Sequence, residues 1–503
     1  MASDTTVAHA GSPTVPRPSF LRKAVSFPAL MGVLLVGGIY APLREFFVDP
    51  DLWWHLRVGS TLLATHHFPT ADAYSFTAYC QHWIAYEWLG DVVLAAAWRA
   101  GGLRGLMVLG MLLAGAILLA LYALATLRSG NAKAGFVACA ALTLFVYPSC
   151  SLRPQMLGYL FLVLTLIVLE RFRQGRAGSL WLLPPLFLVW VNTHGSFVFG
   201  LLALGVYWGS GLVEIRWGNL ASRLWTPGER LRLEGAALLI LIALVMTPYG
   251  TEVCLYPLNM AFSQPINVGN IQEWQSMPFG LMLGKVFLAL LLGFVLAQAT
   301  LRPAWRLEEL VLFMAGVAAA CLHLRFLLLF VPFSAPLFAV ILARWVPPYS
   351  LEKEKYALNA LLIVLVASAM VWFFPSRAKL QSILEVRWPV RAVEYLQRHP
   401  APQPMYNTYG YGGYLIWQFD GQNKVFVDGR ADLYERTGVL ADYLTLSRLG
   451  NAAPFLLNAY RIQSCLVERD EPLATLLSVL PGWERVYNDS QSALFVRQEA
   501  ARQ

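Results

Sequence analysis

The sequence predicts a polytopic helical membrane protein that carries a separate α/β domain at its C-terminal end. Three observations predict this. Of the 503 residues, 57% are hydrophobic and only 14% are charged, and the mean hydropathy is positive. The apolar residues fall in runs close to the roughly 20 residues that a spanning helix needs. Beyond Pro375 those runs stop and short apolar alternations begin.

Taken in order, residues 1–26 are polar and, from Pro16 to Lys23, proline-rich and basic. The apolar run after them has no small-residue cleavage site, so the expectation is a cytoplasmic tail followed by an uncleaved first span. Apolar runs lie near 27–46, 104–127, 134–149, 156–172, 180–192, 195–215, 235–249, 279–300, 308–322, 325–345 and 357–374. They make about eleven spans within a membrane domain at 27–375. The run at 84–100 is broken by Glu87, Asp91 and Arg99. It is expected to lie in the headgroup region without crossing.

The formal charge of +8 sits mainly in short links: Lys23, Arg128/Lys133, Arg171/Arg173/Arg176, Arg216/Arg223/Arg230/Arg232, Arg302/Arg306 and Lys353/Lys355. All fall on one side if the spans alternate, and the positive-inside rule makes that side cytoplasmic. This use of basic residues argues against nucleic acid as a partner and for membrane lipid. The opposite links, 47–103, 150–155, 193–194, 250–278 and 322–324, then face outward together with everything after 375. They hold nearly all the unusual polar residues. Six cysteines without a CxxC pair point to neither a disulfide framework nor a zinc cluster, although one bridge on the outer face is compatible with their positions.

The tail, 376–503, is expected to be an external α/β domain. Strands are predicted at Met405 to Thr408, Lys424 to Asp428, Ile462 to Val467, 484–488 and 493–497, and helices at Gly412 to Phe419, 436–448, 452–460 and 471–480. Loops after strands favour ligands in such sheets. They single out Tyr411, Asp428 and Arg430.

The first outer loop opens with Asp49-Pro50-Asp51-Leu52-Trp53-Trp54-His55 and later carries Glu87. Carboxylates at the edge of hydrocarbon are costly and commonly functional, and one of Asp49 and Asp51 suits a general base. The same Asp-Pro-Asp is also a good turn. In an extended segment the two acids would point the same way. Trp53 and Trp54 suit either the interfacial aromatic belt or stacking on a sugar. Asp49, Asp51, His55 and Glu87 are of the right type for Mg, Mn or Zn, though no metal-binding spacing is present. Arg153, His194, Glu273, His323 and Arg325 complete the outer polar set. Arg325 begins an apolar run on the face where basic residues are scarce, which a phosphate partner would explain. Walker loops, Rossmann fingerprints and nucleophilic triads are absent.

The segments Asp49-Pro50-Asp51-Leu52-Trp53-Trp54-His55-Leu56-Arg57-Val58-Gly59 and Trp83-Ile84-Ala85-Tyr86-Glu87-Trp88-Leu89 resemble a bacterial group near the protein O-mannosyltransferase and aminoarabinose transferase branch of GT-C membrane glycosyltransferases. Gly412-Gly413-Tyr414-Leu415 and Val427-Asp428-Gly429-Arg430 are similar to that group's tail. The Trp-Trp-Asp-Tyr-Gly signature of oligosaccharyltransferases is reduced here to Tyr409-Gly410-Tyr411-Gly412, so sequon recognition does not transfer. The resemblance implies a polyprenyl-phosphate sugar donor, an envelope glycan, lipid or protein as acceptor, and a bacterial inner membrane. It also implies inverting displacement with Asp49 or Asp51 as base, while Arg325, with Arg153 or His323, steadies the leaving phosphate. A non-enzymatic glycan transporter or an envelope assembly scaffold is the competing expectation.

Overall fold

The computed structural model describes residues 19–40, 46–146 and 151–498. The chain is mostly helical, and each of the eleven predicted apolar runs carries a helix among these residues. Four helices are long and apolar enough to cross a membrane: Trp88–Ser129, Gln155–Arg173, Met282–Leu301 and Leu324–Leu342. The pair Tyr356–Trp372 and Arg377–Arg387, bent by 63°, makes a fifth if it is one broken span. Several shorter apolar helices, such as Ala132–Val146 and Phe197–Ser210, pack among them. The chain is a membrane protein.

At one end the basic links converge: Arg128 pairs with Glu309, Arg173 with Glu308 at 2.9 Å, and Arg306 with Glu170 at 2.7 Å. There a small sheet joins Arg216–Trp217, Leu220–Ala221 and Trp305–Arg306, and Asn131 Nδ2 donates to the Val346 carbonyl at 2.7 Å. At the other end gather the links that carry Asp49, Glu87, Arg153, His194, Glu273 and Arg325.

The first loop departs from the expected extended segment. Helix Asp51–Thr65 begins immediately after Pro50, whose fixed φ suits a helix start. Asp49 Oδ1 accepts the Asp51 N–H at 3.0 Å and so satisfies one of the free donors of the first turn. A second helical segment runs from Trp88 and breaks at Gly101–Gly102, where Gly102 has φ +57°. Only a residue without Cβ takes that conformation cheaply. The break separates the stretch expected to lie across the headgroups from the apolar run that follows it.

From Arg377 onward two helices, Arg377–Arg387 and Val390–Arg398, lead into a four-stranded mixed sheet. Its spatial order is Met405–Asn407, Ser464–Glu468, Ser492–Arg497, Trp483–Asn488, with the first pair parallel and the others antiparallel. The predicted strand Lys424 to Asp428 is not part of it. Val425 instead bridges to Ser75 of the first loop, exchanging backbone hydrogen bonds with Tyr74 and Phe76 at 3.0 and 3.1 Å. The run is apolar because it is buried between tail and loop, and burial alone does not distinguish that position from a central strand.

This seam is extensive. Helix Tyr409–Gln418 lies against helix Asp51–Thr65, with Tyr414 edge-on to Trp53 at 5.1 Å, and Trp98 meets Trp417 at 5.1 Å. Trp388 donates to the Phe47 carbonyl at 2.9 Å. Arg430 is buried between Asp428 (2.6 Å) and Asp72 (2.7 Å) and lies under the rings of Trp83 and Tyr74. Tyr434 completes Asp428 at 2.6 Å. The five cysteines within the described residues are free thiols, and Cys150 lies outside them.

Candidate active site

The seam roofs a cavity of about 780 Å³ lined by the first loop, the outer helix ends and the tail. Its centre is Arg153, which sits just before helix Gln155–Arg173. The guanidinium meets three carboxylates: Asp49 at 3.2 Å, Asp51 at 3.2 Å and Glu273 at 2.8 Å. Glu273 is shared with Arg325 at 3.2 Å, and Arg325 lies over the Trp274 ring at 4.1 Å. The sequence separates these groups by as much as 276 positions, Asp49 to Arg325, and the fold brings them onto one wall.

Burial and charge tune them differently. Burial, and then the neighbouring Asp49, push the Asp51 carboxyl up to about 7, although Arg153 pulls the other way. Burial also opposes ionisation of Glu273, but Arg153 and Arg325 outweigh it and hold this carboxyl at about 2. Glu87 is driven by burial to about 8. In the tail, burial takes Glu471 to about 7. Near neutral pH the cavity is therefore much less negative than its acids suggest.

A second polar chain runs behind Glu87, which contacts His194 at 3.2 Å and His55 at 3.4 Å, while His55 Nδ1 reaches Asp91 at 2.5 Å. Burial, reinforced by the nearby arginines, lowers both imidazoles and takes His194 to about 3. Both are neutral at working pH. Since the Ser196 N–H donates to His194 Nδ1 at 3.0 Å, the remaining ring proton is on Nε2 and faces Glu87. Neutral His55 has one N–H for two carboxyl neighbours. The other contact is satisfied by a protonated carboxyl: burial raises both, Glu87 to about 8 and Asp91, which also feels Glu87, well above the ordinary aspartate range.

Of the residues singled out by sequence, Asp49, Asp51, Trp54, His55, Glu87, Arg153, His194, Glu273, Arg325 and Arg430 line the cavity. Trp53, His323, Tyr411 and Asp428 do not. Trp53 is enclosed by Trp388 and Tyr414, and His323 donates to the Trp274 carbonyl at 2.6 Å. Tyr411 donates to the Gln491 carbonyl at 3.0 Å. Asp428 is fully buried and saturated by Arg430 and Tyr434. Arg430, though at the wall, is held by Asp428 and Asp72 and serves the seam. The candidate metal ligands split: Asp49 and Asp51 face Arg153, whereas His55 and Glu87 face each other. Among the described residues no three His, Cys, Asp or Glu side chains are placed to hold one ion.

The cavity also contains Tyr86, Tyr256, Trp274, Tyr409, Asp432 and Glu471. Tyr86 neighbours the singled-out Glu87. The others come from the long link before Met282 and from the tail, where no spacing reveals which residues meet the first loop.

No protein-family model matches the sequence, and no curated protein matches it. The fold does have counterparts. The oligosaccharyltransferase of Archaeoglobus fulgidus, with a tethered acceptor peptide containing the NVT sequon, superposes with a TM-score of 0.52 at 12% identity, over 87% of this chain and 69% of that one. ArnT from Cupriavidus metallidurans, in the apo state, gives 0.52 at 15% identity over 92% and 97%. These are GT-C proteins. The chain has the GT-C fold. A second structure of the Archaeoglobus fulgidus enzyme, AglB in complex with an inhibitory peptide and a dolichol-phosphate, gives 0.50 at 11% identity over 90% and 70%. Within the GT-C fold the acid-rich first loop, the helix ends and the tail enclose the cavity described above.

Proposed function

We propose that the protein is a membrane glycosyltransferase that moves a sugar from a polyprenyl-phosphate carrier to an envelope acceptor. The observation that carries this is the Arg153 cluster, in which two arginines and two candidate bases share one cavity wall. Outer arginines suit a phosphate, since guanidinium forks bind phosphate oxygens in pairs. A donor phosphate at Arg153 and Arg325 competes with Glu273 and with the two aspartates. Its arrival frees a carboxylate beside the anomeric carbon. That carboxylate takes the proton of the acceptor hydroxyl while the oxygen attacks the anomeric carbon. The bond from that carbon to the phosphate oxygen breaks, polyprenyl phosphate departs on the arginines, and the configuration inverts.

The neighbours support the reading in kind: one is held with a dolichol-phosphate and one with an acceptor peptide. We assign the cavity end of the protein to the external face of a bacterial inner membrane, because the opposite end is basic. Eleven spans and an external tail belong to the same proposal.

The test is transfer by purified protein in lipid nanodiscs, supplied with a panel of polyprenyl-phosphate sugars and an envelope extract. Wild type should release free polyprenyl phosphate, and Asp49→Asn or Asp51→Asn should abolish release while leaving carrier binding intact. Full activity in both variants would overturn the enzymatic reading in favour of transport or scaffolding.

A further inference from the structure

Asp432 opens the short helix Ala431–Arg436 just beyond the buried Arg430 and is 7% exposed. It lines the cavity, yet among the described residues its carboxylate makes no ion pair and no side-chain hydrogen bond. Its hydrogen-bond donors are the backbone N–H groups of Leu433 and of Asp432 itself, and burial still pushes the carboxyl up from the ordinary aspartate range despite Arg436 and Arg430. A bound group that donates hydrogen bonds would relieve the cost of that burial.

The same cavity holds an aromatic pair: the rings of Tyr86 and Tyr256 stack at 3.7 Å and both line it. The Tyr256 hydroxyl is buried beside the Tyr86 hydroxyl. Asp432 acts electrostatically on both tyrosines and on Glu87. Glu87 and Tyr256 in turn feel Arg325.

We propose that Asp432 and the Tyr86–Tyr256 pair form the subsite that reads the hydroxyls of the sugar ring attached to the donor phosphate. This rests on the glycosyltransferase reading for the position of the phosphate. Arg153, Arg325, Tyr86, Tyr256 and Asp432 line one cavity, so a sugar ring attached to a phosphate at the arginines shares that space with the tyrosine pair and Asp432. A carboxylate accepts from two neighbouring ring hydroxyls at once, and an aromatic edge or face beside it covers the apolar C–H surface of the ring. The polyprenyl chain gains nothing from these groups.

The experiment measures binding of bare undecaprenyl phosphate and of undecaprenyl phosphate carrying a hexose, an N-acetylhexosamine, a pentose or an aminopentose to the full chain in nanodiscs. Wild type should bind at least one sugar-bearing lipid more tightly than the bare carrier. Asp432→Asn should cut that preference roughly ten- to hundredfold, as loss of a charge-assisted pair does, with bare-carrier affinity unchanged. Tyr256→Phe, which keeps the ring, should reduce it less. Preference retained in Asp432→Asn, or no preference in wild type, would overturn the proposal. If Asp432→Asn also loses the bare carrier, Tyr256→Phe decides, and an undiminished preference there overturns it too. Failure of the transfer reading is separate: active Asp49→Asn and Asp51→Asn would defeat the enzyme while leaving the sugar preference measurable.

Discussion

At Asp51 the position of a single proton separates a resting carboxyl from a working base. Burial and Asp49 bring its pKa to about 7, so below that value the group holds a proton and accepts no other. If Asp51 is the base, kcat/KM falls about tenfold per pH unit on the acid side and levels off above about 7. A profile that stays flat through 7 would exclude Asp51 as the base. The neutral imidazoles make a second prediction at this scale. His194, held near 3, contributes no positive charge to phosphate binding. His194→Gln should therefore leave the salt dependence of carrier binding unchanged, whereas Arg325→Gln should weaken both the affinity and its salt dependence. The acids and arginines were legible as single residues because each was costly where it stood. Their pairing around Arg153 was not, since hydropathy and spacing carry no information about which outer links touch.

Among the elements, the close approach of the tail to the first loop is the feature most sensitive to small changes. At Gly429 a Cβ atom would stand 1.7 Å from Asp51 Oδ1. Gly429→Ala must therefore displace either the tail loop or the carboxylate. A shift near 1 Å at a reacting group costs about a hundredfold in rate, and transfer assays on a variant that still melts like wild type would check this. The apolar runs and most tail strands were readable from periodicity, with Met405–Asn407, Ser464–Glu468, Trp483–Asn488 and Ser492–Arg497 close to their predicted positions. Helix Asp51–Thr65 was hidden by the turn propensity of Asp-Pro-Asp. The run from Lys424 was misread because tail–loop pairing uses the same buried, β-favouring residues as a sheet.

Across the whole molecule, the buried Asp72–Arg430–Asp428 triad ties the tail to the first loop. Removing one partner of such a group leaves an uncompensated buried charge and costs about 3–5 kcal/mol. Arg430→Ala should thus lower the melting temperature of the solubilised protein and make the tail protease-sensitive before the helices unfold. A melt and digestion pattern identical to wild type would show that the aromatic seam holds without it. Sequence alone separated a plain basic end from a chemically furnished one, because charge bias and polar residues are local signals. It pointed to the tail loops at Tyr411, Asp428 and Arg430 but not to Tyr409, Asp432 and Glu471, whose place in the cavity depends on contacts between positions as far apart as Asp72 and Arg430.

That separation in the chain has a consequence in time. The two aspartates emerge from the ribosome early, whereas the tail that helps to enclose them follows the apolar helices. At roughly 5–20 residues per second the gap between the last apolar helix and the last strand of the tail sheet is on the order of ten seconds. During that interval the acid cluster lacks the tail residues that line its cavity. A carrier lipid that enters early meets charge without shape, and the complete cavity waits for the tail.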